Sequence, residues 1–192
     1  MKYATLVLTL GLGLVAAAHA ETPLPGASSP STIIGPGEDA PSLRVIPSPG
    51  GAVYLPTAKD KSLLYDTYTY APARRVGNLV FLSGVIAGPL PGESHDVEAF
   101  KKQLRRCFQN IVRNLAAAGA RPSQIVEIES YHVFPSPGFS GDWNAHLNAV
   151  LEVKNEFIKP PYPTWTVLGV TALAEENAVV EIKVTAYAPL KR

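Results

Sequence analysis

Leu79-Val80-Phe81-Leu82-Ser83-Gly84-Val85-Ile86, then the loop Gly88-Pro89-Leu90-Pro91-Gly92, then a long amphipathic run between Asp96 and Gly119: this stretch decides the fold. The first piece is a dense apolar run after a Gly77-Asn78 turn and predicts a buried strand. In the last piece Phe100, Leu104, Cys107, Phe108, Ile111, Leu115 and Ala118 recur at steps of three and four, one face of a helix. Asp96 is placed to cap its start and Gly119 its end, with Pro122 just beyond. Lys101, Lys102, Arg105, Arg106 and Arg113 fall on the opposite face, which reads as solvated rather than as a phosphate-binding surface.

Further strands and one more helix follow. Gln124–Phe134 is rich in strand formers and is broken by Pro135-Ser136-Pro137-Gly138. A second helix is expected over Asp142–Phe157, with Trp143, Leu147, Val150 and Leu151 on its inner side, ended by Pro160, Pro161 and Pro163. Strands are expected over Trp165–Leu173 and Ala178–Ala188, joined by the Glu175-Glu176-Asn177 turn. In the last of them Val180, Ile182, Val184, Ala186 and Ala188 alternate with Glu181, Lys183, Thr185 and Tyr187. The order β-β-α-β-α-β-β implies a layered α/β (α+β) domain, a mixed sheet with two helices on one face. The opposite sheet face then needs a cover, and subunit association is the usual one.

Upstream the character differs. Lys2, an apolar run over Ala4–Ala18 and the small-residue site Ala18-His19-Ala20 read as a secretory signal peptide over residues 1–20. The expected location is periplasmic or secreted, with no membrane attachment after cleavage. Residues 21–60 hold eight Pro and five Gly and are expected to form an arm or linker, in which Arg44–Ile46 and Ala52–Leu55 are candidate short edge strands. The domain proper is expected over 61–192.

Composition excludes several classes. The chain has 17 basic and 16 acidic residues, and loss of Lys2 with the leader leaves the two balanced. A neutral chain offers no electrostatic footprint for nucleic acid. Cys107 is the single cysteine and sits on the apolar helix face, so neither a disulfide framework nor a thiol nucleophile is expected. His95, His132 and His146 have unrelated spacings, and His132 lies within a strand, where a hydrogen-bonded structural role is expected. No metal site, phosphate-binding glycine loop or cofactor motif is present.

Strand-end polar groups remain: Tyr70, Ser83-Gly84, Asn148 on the second helix and Glu181 off the core face of the last strand. Each has an ordinary reading as interface filler, turn hydroxyl or solvated group. Their setting, however, resembles a known family. Arg75-Val76-Gly77-Asn78-Leu79-Val80-Phe81-Leu82-Ser83-Gly84, Asn110–Ala120, Val170–Ala174 and Val180–Ala186 together resemble the Rid (RidA, YjgF-type) family of enamine/imine deaminases.

That resemblance implies a homotrimer with a chorismate-mutase-like fold and small-molecule clefts between subunits. It implies that Tyr70, Ser83, Gly84 and Asn148 line the cleft and that Glu181 positions the attacking water. In Tyr162-Pro163-Thr164-Trp165-Thr166 it places Trp165 where active members carry a substrate-binding arginine. Arginine is absent from 122 to 191, so no neighbour in sequence replaces it, and Lys183 is the candidate substitute cation. An arginine fork holds a carboxylate by two charge-assisted bonds, whereas an indole offers one neutral donor and an apolar face. The expected function is an exported imine or enamine deaminase with altered substrate. The alternative is a non-catalytic small-molecule-binding trimer that uses Trp165 as a stacking platform. A nuclease reading is weaker, because no basic cleft is evident.

Overall fold

The computed structural model describes residues 30–38 and 40–190, so the leader reading of 1–20 and the first part of the expected arm lie outside the described residues. Eight strands form one mixed sheet. They are β1 (Pro41–Ser48), β2 (Gly51–Thr57), β3 (Ala73–Val76), β4 (Leu79–Leu82), β5 (Val85–Ala87), β6 (Ile125–Val133), β7 (Thr164–Val170) and β8 (Val180–Tyr187). The strand order is β1-β2-β3-β4-β8-β6-β7, with β5 also paired to β8. Only β6 and β7 run parallel; the other pairs are antiparallel.

Two helices, α1 (Val97–Ala117) and α2 (Trp143–Phe157), cover the same face. Helix α1 forms because its apolar residues keep one stripe and both ends are satisfied. Asp96 accepts from the Ala99 N–H at 2.8 Å. Gly119, at φ +72°, lets the chain turn back so that Ala120 N–H reaches Leu115 O. Phe100, Leu104, Phe108, Ile111 and Leu115 meet Val180, Ile182, Val184 and Ala186 of β8 in a single core. The basic side of α1 is tied to carboxylates. Lys101 pairs with Glu152 at 2.8 Å, Arg105 with Glu156 at 2.6 Å and Arg106 with Glu93 at 2.6 Å. These pairs clasp α1 to α2 and to the preceding loop.

Three details depart from the sequence reading. The run Leu79–Ile86 is two strands, β4 and β5, parted at Ser83-Gly84, where Ser83 N–H turns to Pro72 O at 3.2 Å. It is also only half buried: Val80 and Leu82 are inside, while Leu79 and Phe81 are exposed on the open face. On α2 the inner residues are His146, Ala149, Val150 and Val153, and Trp143 is exposed. Upstream, the two candidate short strands Arg44–Ile46 and Ala52–Leu55 are present within longer ones, which form the β1–β2 hairpin. Only β1 is an edge strand: β2 pairs with β3 from Gly51↔Val76 to Tyr54↔Ala73, so the hairpin extends the sheet, with Val53 and Leu55 buried.

The hairpin is preceded by a strap. Ile33 and Ile34 are buried, each worth about 2 kcal/mol of apolar transfer. Glu175 pins the same segment: it accepts from Thr32 N–H at 3.0 Å, from the Thr32 hydroxyl at 2.6 Å and from the Ser31 hydroxyl. Lys59 Nζ adds a bond to Ile33 O at 2.9 Å. A Glu175→Ala variant should keep the fold but expose the amides of Thr32 to Ile34. Hydrogen exchange should then quicken at least tenfold there and remain unchanged in β8.

Candidate functional site

The open face of the sheet carries the residues of interest because of β8. Its alternation puts Val180, Ile182 and Val184 against the helices and leaves Glu181 and Lys183 facing the other way. Glu181 lies between Ile86 of β5 and Tyr131 of β6. The gap between β4 and β5 brings the Gly84 backbone directly against it. A Cβ built on Gly84 would overlap the Glu181 carboxyl, so only glycine permits this approach. Burial raises the pKa of Glu181 above the ordinary carboxylate value.

Around this carboxyl opens a cavity of about 1730 Å³ that includes Tyr70, Ser83, Gly84, Glu181 and Lys183. Five of the seven sequence-predicted site residues therefore share one wall. Tyr70 is driven up to about 12 by burial and by the negative charge of Glu181, so it is a neutral phenol at pH 7. Ser83 is less available: its hydroxyl donates to Ala71 O at 2.7 Å. Lys183 donates to Glu129 at 2.6 Å, which raises its pKa and occupies its charge. The strap also lines the cavity, through Pro30, Ser31 and Thr32. Among the described residues no His, Cys, Asp or Glu group is arranged to hold a metal ion. Cys107 is buried, its thiol held in the protonated form by desolvation and donating to Val85 O at 3.2 Å.

Asn148 and Trp165 do not join this cavity within the chain. Asn148 is exposed on α2. Trp165 pairs in register with Ile128, so it shares the helix-facing side of the sheet, opposite to Glu181. Its indole N–H donates to Ser130 Oγ at 2.8 Å, and Lys154 Nζ stands 5.1 Å from the ring centre.

That indole begins a buried polar chain. Ser130 Oγ donates to Thr166 O at 3.3 Å, so its lone pairs accept from Trp165 Nε1 and from His132 Nε2, the latter at 2.8 Å. His132 is then protonated on Nε2, and its Nδ1 accepts from His146 Nε2 at 2.8 Å. His146 Nδ1 is left without a partner, enclosed by Phe100, Phe139, Phe134 and Trp143. Desolvation lowers both histidines to about 4, and at His146 the neighbouring His132 adds to it. His132 thus has the structural role expected of it; the chain connecting it to Trp165 was not visible in the sequence.

The family model described as Endoribonuclease L-PSP matches residues 62–188. The chain belongs to the Rid/YjgF family. Within that family it is similar to the RutC family protein YjgH of Escherichia coli K12, 38% identical over 127 residues, 66% of this chain and 88% of that one. The solved structure of protein YjgH aligns at TM-score 0.53 and 35% identity, covering 67% of this chain and 91% of that one. A 2-iminobutanoate/2-iminopropanoate deaminase of Dermatophagoides farinae is 29% identical over 118 residues, 59% of this chain and 81% of that one. The structure of Rv2704 from Mycobacterium tuberculosis shares the fold, at TM-score 0.53 and 24% identity over 77% of this chain and all of that one. The strap and the β1–β2 hairpin of this Rid/YjgF chain precede the matched region.

Sequence reasoning overlooked Arg74, which lines the same cavity. The Gly77-Asn78 turn could have revealed it, since that turn sets the register Val76↔Leu79, Arg75↔Val80, Arg74↔Phe81. The two arginines go to opposite faces. Arg75 is buried and caps α1 through Ala118 O at 2.9 Å and Gly119 O at 3.1 Å.

Two outcomes are expected. In Gly84→Ala the added methyl displaces Glu181, and ligand affinity at the cavity falls while the melting temperature changes little. A crystal structure of the variant with the carboxyl unmoved would contradict this. The histidine pair stays neutral in the folded chain down to about pH 4, while unfolded histidines take up protons from pH 6.5. Stability is therefore full above pH 6.5 and falls as the pH drops through that window. Urea unfolding at pH 5 should read lower than at pH 7 by on the order of 2 kcal/mol. The profile should flatten in His146→Phe.

Proposed function

We propose that the chain is an exported, trimeric Rid-type hydrolase that cleaves an imine or enamine, with Glu181 as the base. The observation that carries this reading is the half-buried Glu181 carboxyl held against Gly84 in a cavity beside a neutral Tyr70. Burial raises the pKa of this carboxyl, which makes it a stronger base than an exposed glutamate. Glu181 would take a proton from water as its oxygen bonds to the imine carbon. The proton passes to nitrogen, and collapse of the carbinolamine breaks the C–N bond, giving a carbonyl compound and ammonia. Family membership and the deaminase relative support the reaction class.

Self-association is supported by the open face. Val76, Leu79 and Tyr187 form a cross-strand apolar row there, outside the cavity and all exposed. A neighbouring subunit laid on this face would complete the cavity and bring Asn148 or Trp165 to it, as the family resemblance implies. Export rests on the pattern of residues 1–20 alone.

Trp165 standing in the arginine's place implies that a 2-imino acid is not gripped by its α-carboxylate in the usual way. The indole N–H is already bonded to Ser130, and Lys154 lies over the ring. The stacking-platform reading therefore gains little. RNA cleavage, named in the family model's description, is disfavoured by Glu175, Glu176 and Glu181 along the cavity, which repel a polyanion.

Hydrolysis of freshly generated imines, followed as ammonia release, tests the proposal. Glu181→Gln should lower kcat/KM by about 10²–10⁴-fold. The acid limb of the wild-type profile should lie above the ordinary carboxylate value, because activity needs the deprotonated form and burial has raised that pKa. Unchanged turnover in Glu181→Gln would overturn the assignment.

A further inference from the structure

The cavity has two lysine or arginine side chains in its wall, Arg74 and Lys183. Lys183 is neutralised by Glu129. Arg74 is exposed, and among the described residues it has no hydrogen-bond or ion-pair partner. It belongs to the same open face as Glu181. Arg74 pairs with Phe81, Phe81 with Thr185, and Thr185 lies four residues along β8 from Glu181. Two interstrand steps and four residues separate the two α-carbons by about 16 Å, a gap that the two long side chains narrow from both ends. Phe81, Tyr65 and Tyr68 line the same space.

We propose that Arg74 binds a distal anionic group of the ligand, a carboxylate or phosphate several bonds from the carbon that faces Glu181. The guanidinium presents a fork of donors suited to either anion, and the aromatic wall takes an apolar or planar spacer between the two ends. This differs from gripping an α-carboxylate, where anion and reacting carbon are adjacent: α-carbons about 16 Å apart leave room for a spacer between the two ends. The ligand class is then an imine or carbonyl compound at one end, a carbon spacer, and a terminal anion. The inference rests on the reading of Glu181 as the reacting end, but its recognition half stands without catalysis.

Calorimetric titration of the full chain with stable carbonyl probes tests it. The probes are 5-oxohexanoate, which has only a distal carboxylate, 2-oxobutyrate, which has only an α-carboxylate, and neutral 2-hexanone. 5-Oxohexanoate should bind at least tenfold more tightly than either of the others. Arg74→Ala should erase that preference with no change in melting temperature, and Arg74→Lys should keep part of it. A preference for 2-oxobutyrate, an unaltered preference in Arg74→Ala, or no binding of any probe would overturn the proposal. The two readings separate cleanly. If the wild type prefers 5-oxohexanoate but hydrolyses no imine, Arg74 stands and the hydrolase fails. If imines are hydrolysed but the preference for 5-oxohexanoate is absent or survives in Arg74→Ala, the reverse holds.

Discussion

Strand β8 has to satisfy two environments at once, and the rest of the molecule is arranged around that. One side of it is a continuous ridge of Val180, Ile182, Val184 and Ala186 under α1, almost entirely removed from water. The other side bears Glu181 and Lys183. A one-residue slip in pairing would exchange the two sides and drive both charges into the core, so the register is held by several neighbours. β4 and β5 pair with one edge of β8, and β6 runs along the other. The break at Ser83-Gly84 is the concession this demands. Two short strands replace one long one, and the backbone at the break comes so close to Glu181 that a side chain there would displace its carboxyl.

Much of this could be read in the sequence, because the signals were periodic. The three- and four-residue spacing on α1, the cap Asp96, and the alternation of β8 each report a local rule that the tertiary structure obeys. The β1–β2 hairpin was harder. Its proline and glycine content looks like a linker, and only pairing with β3, a partner distant enough to leave no local trace, makes it part of the sheet. The broken strand escaped notice for a related reason. An apolar run looks the same whether or not a glycine in it must yield to a carboxyl from another strand.

The site was partly legible in the same way. Glu181, Tyr70, Ser83 and Gly84 converge because they sit at strand ends that pair through β8. Trp165 was read for what it replaces, and its position in the register gives it another task. It faces the helices and supplies the donor that orients Ser130, His132 and His146. Arg74 leaves no local signal near residue 165, because the sheet brings it to the cavity from more than ninety positions away.

The strap has a practical corollary. Pro30, Ser31 and Thr32 belong both to the strap and to the lining of the cavity. Cutting the chain after Thr32 would therefore take away part of the site as well as part of the fold. A shortened form beginning at Ile33 loses those three lining residues and frees the Glu175 carboxylate that Ser31 and Thr32 had occupied. Preparations differing only in where the chain is trimmed should not be treated as equivalent when ligand access is compared.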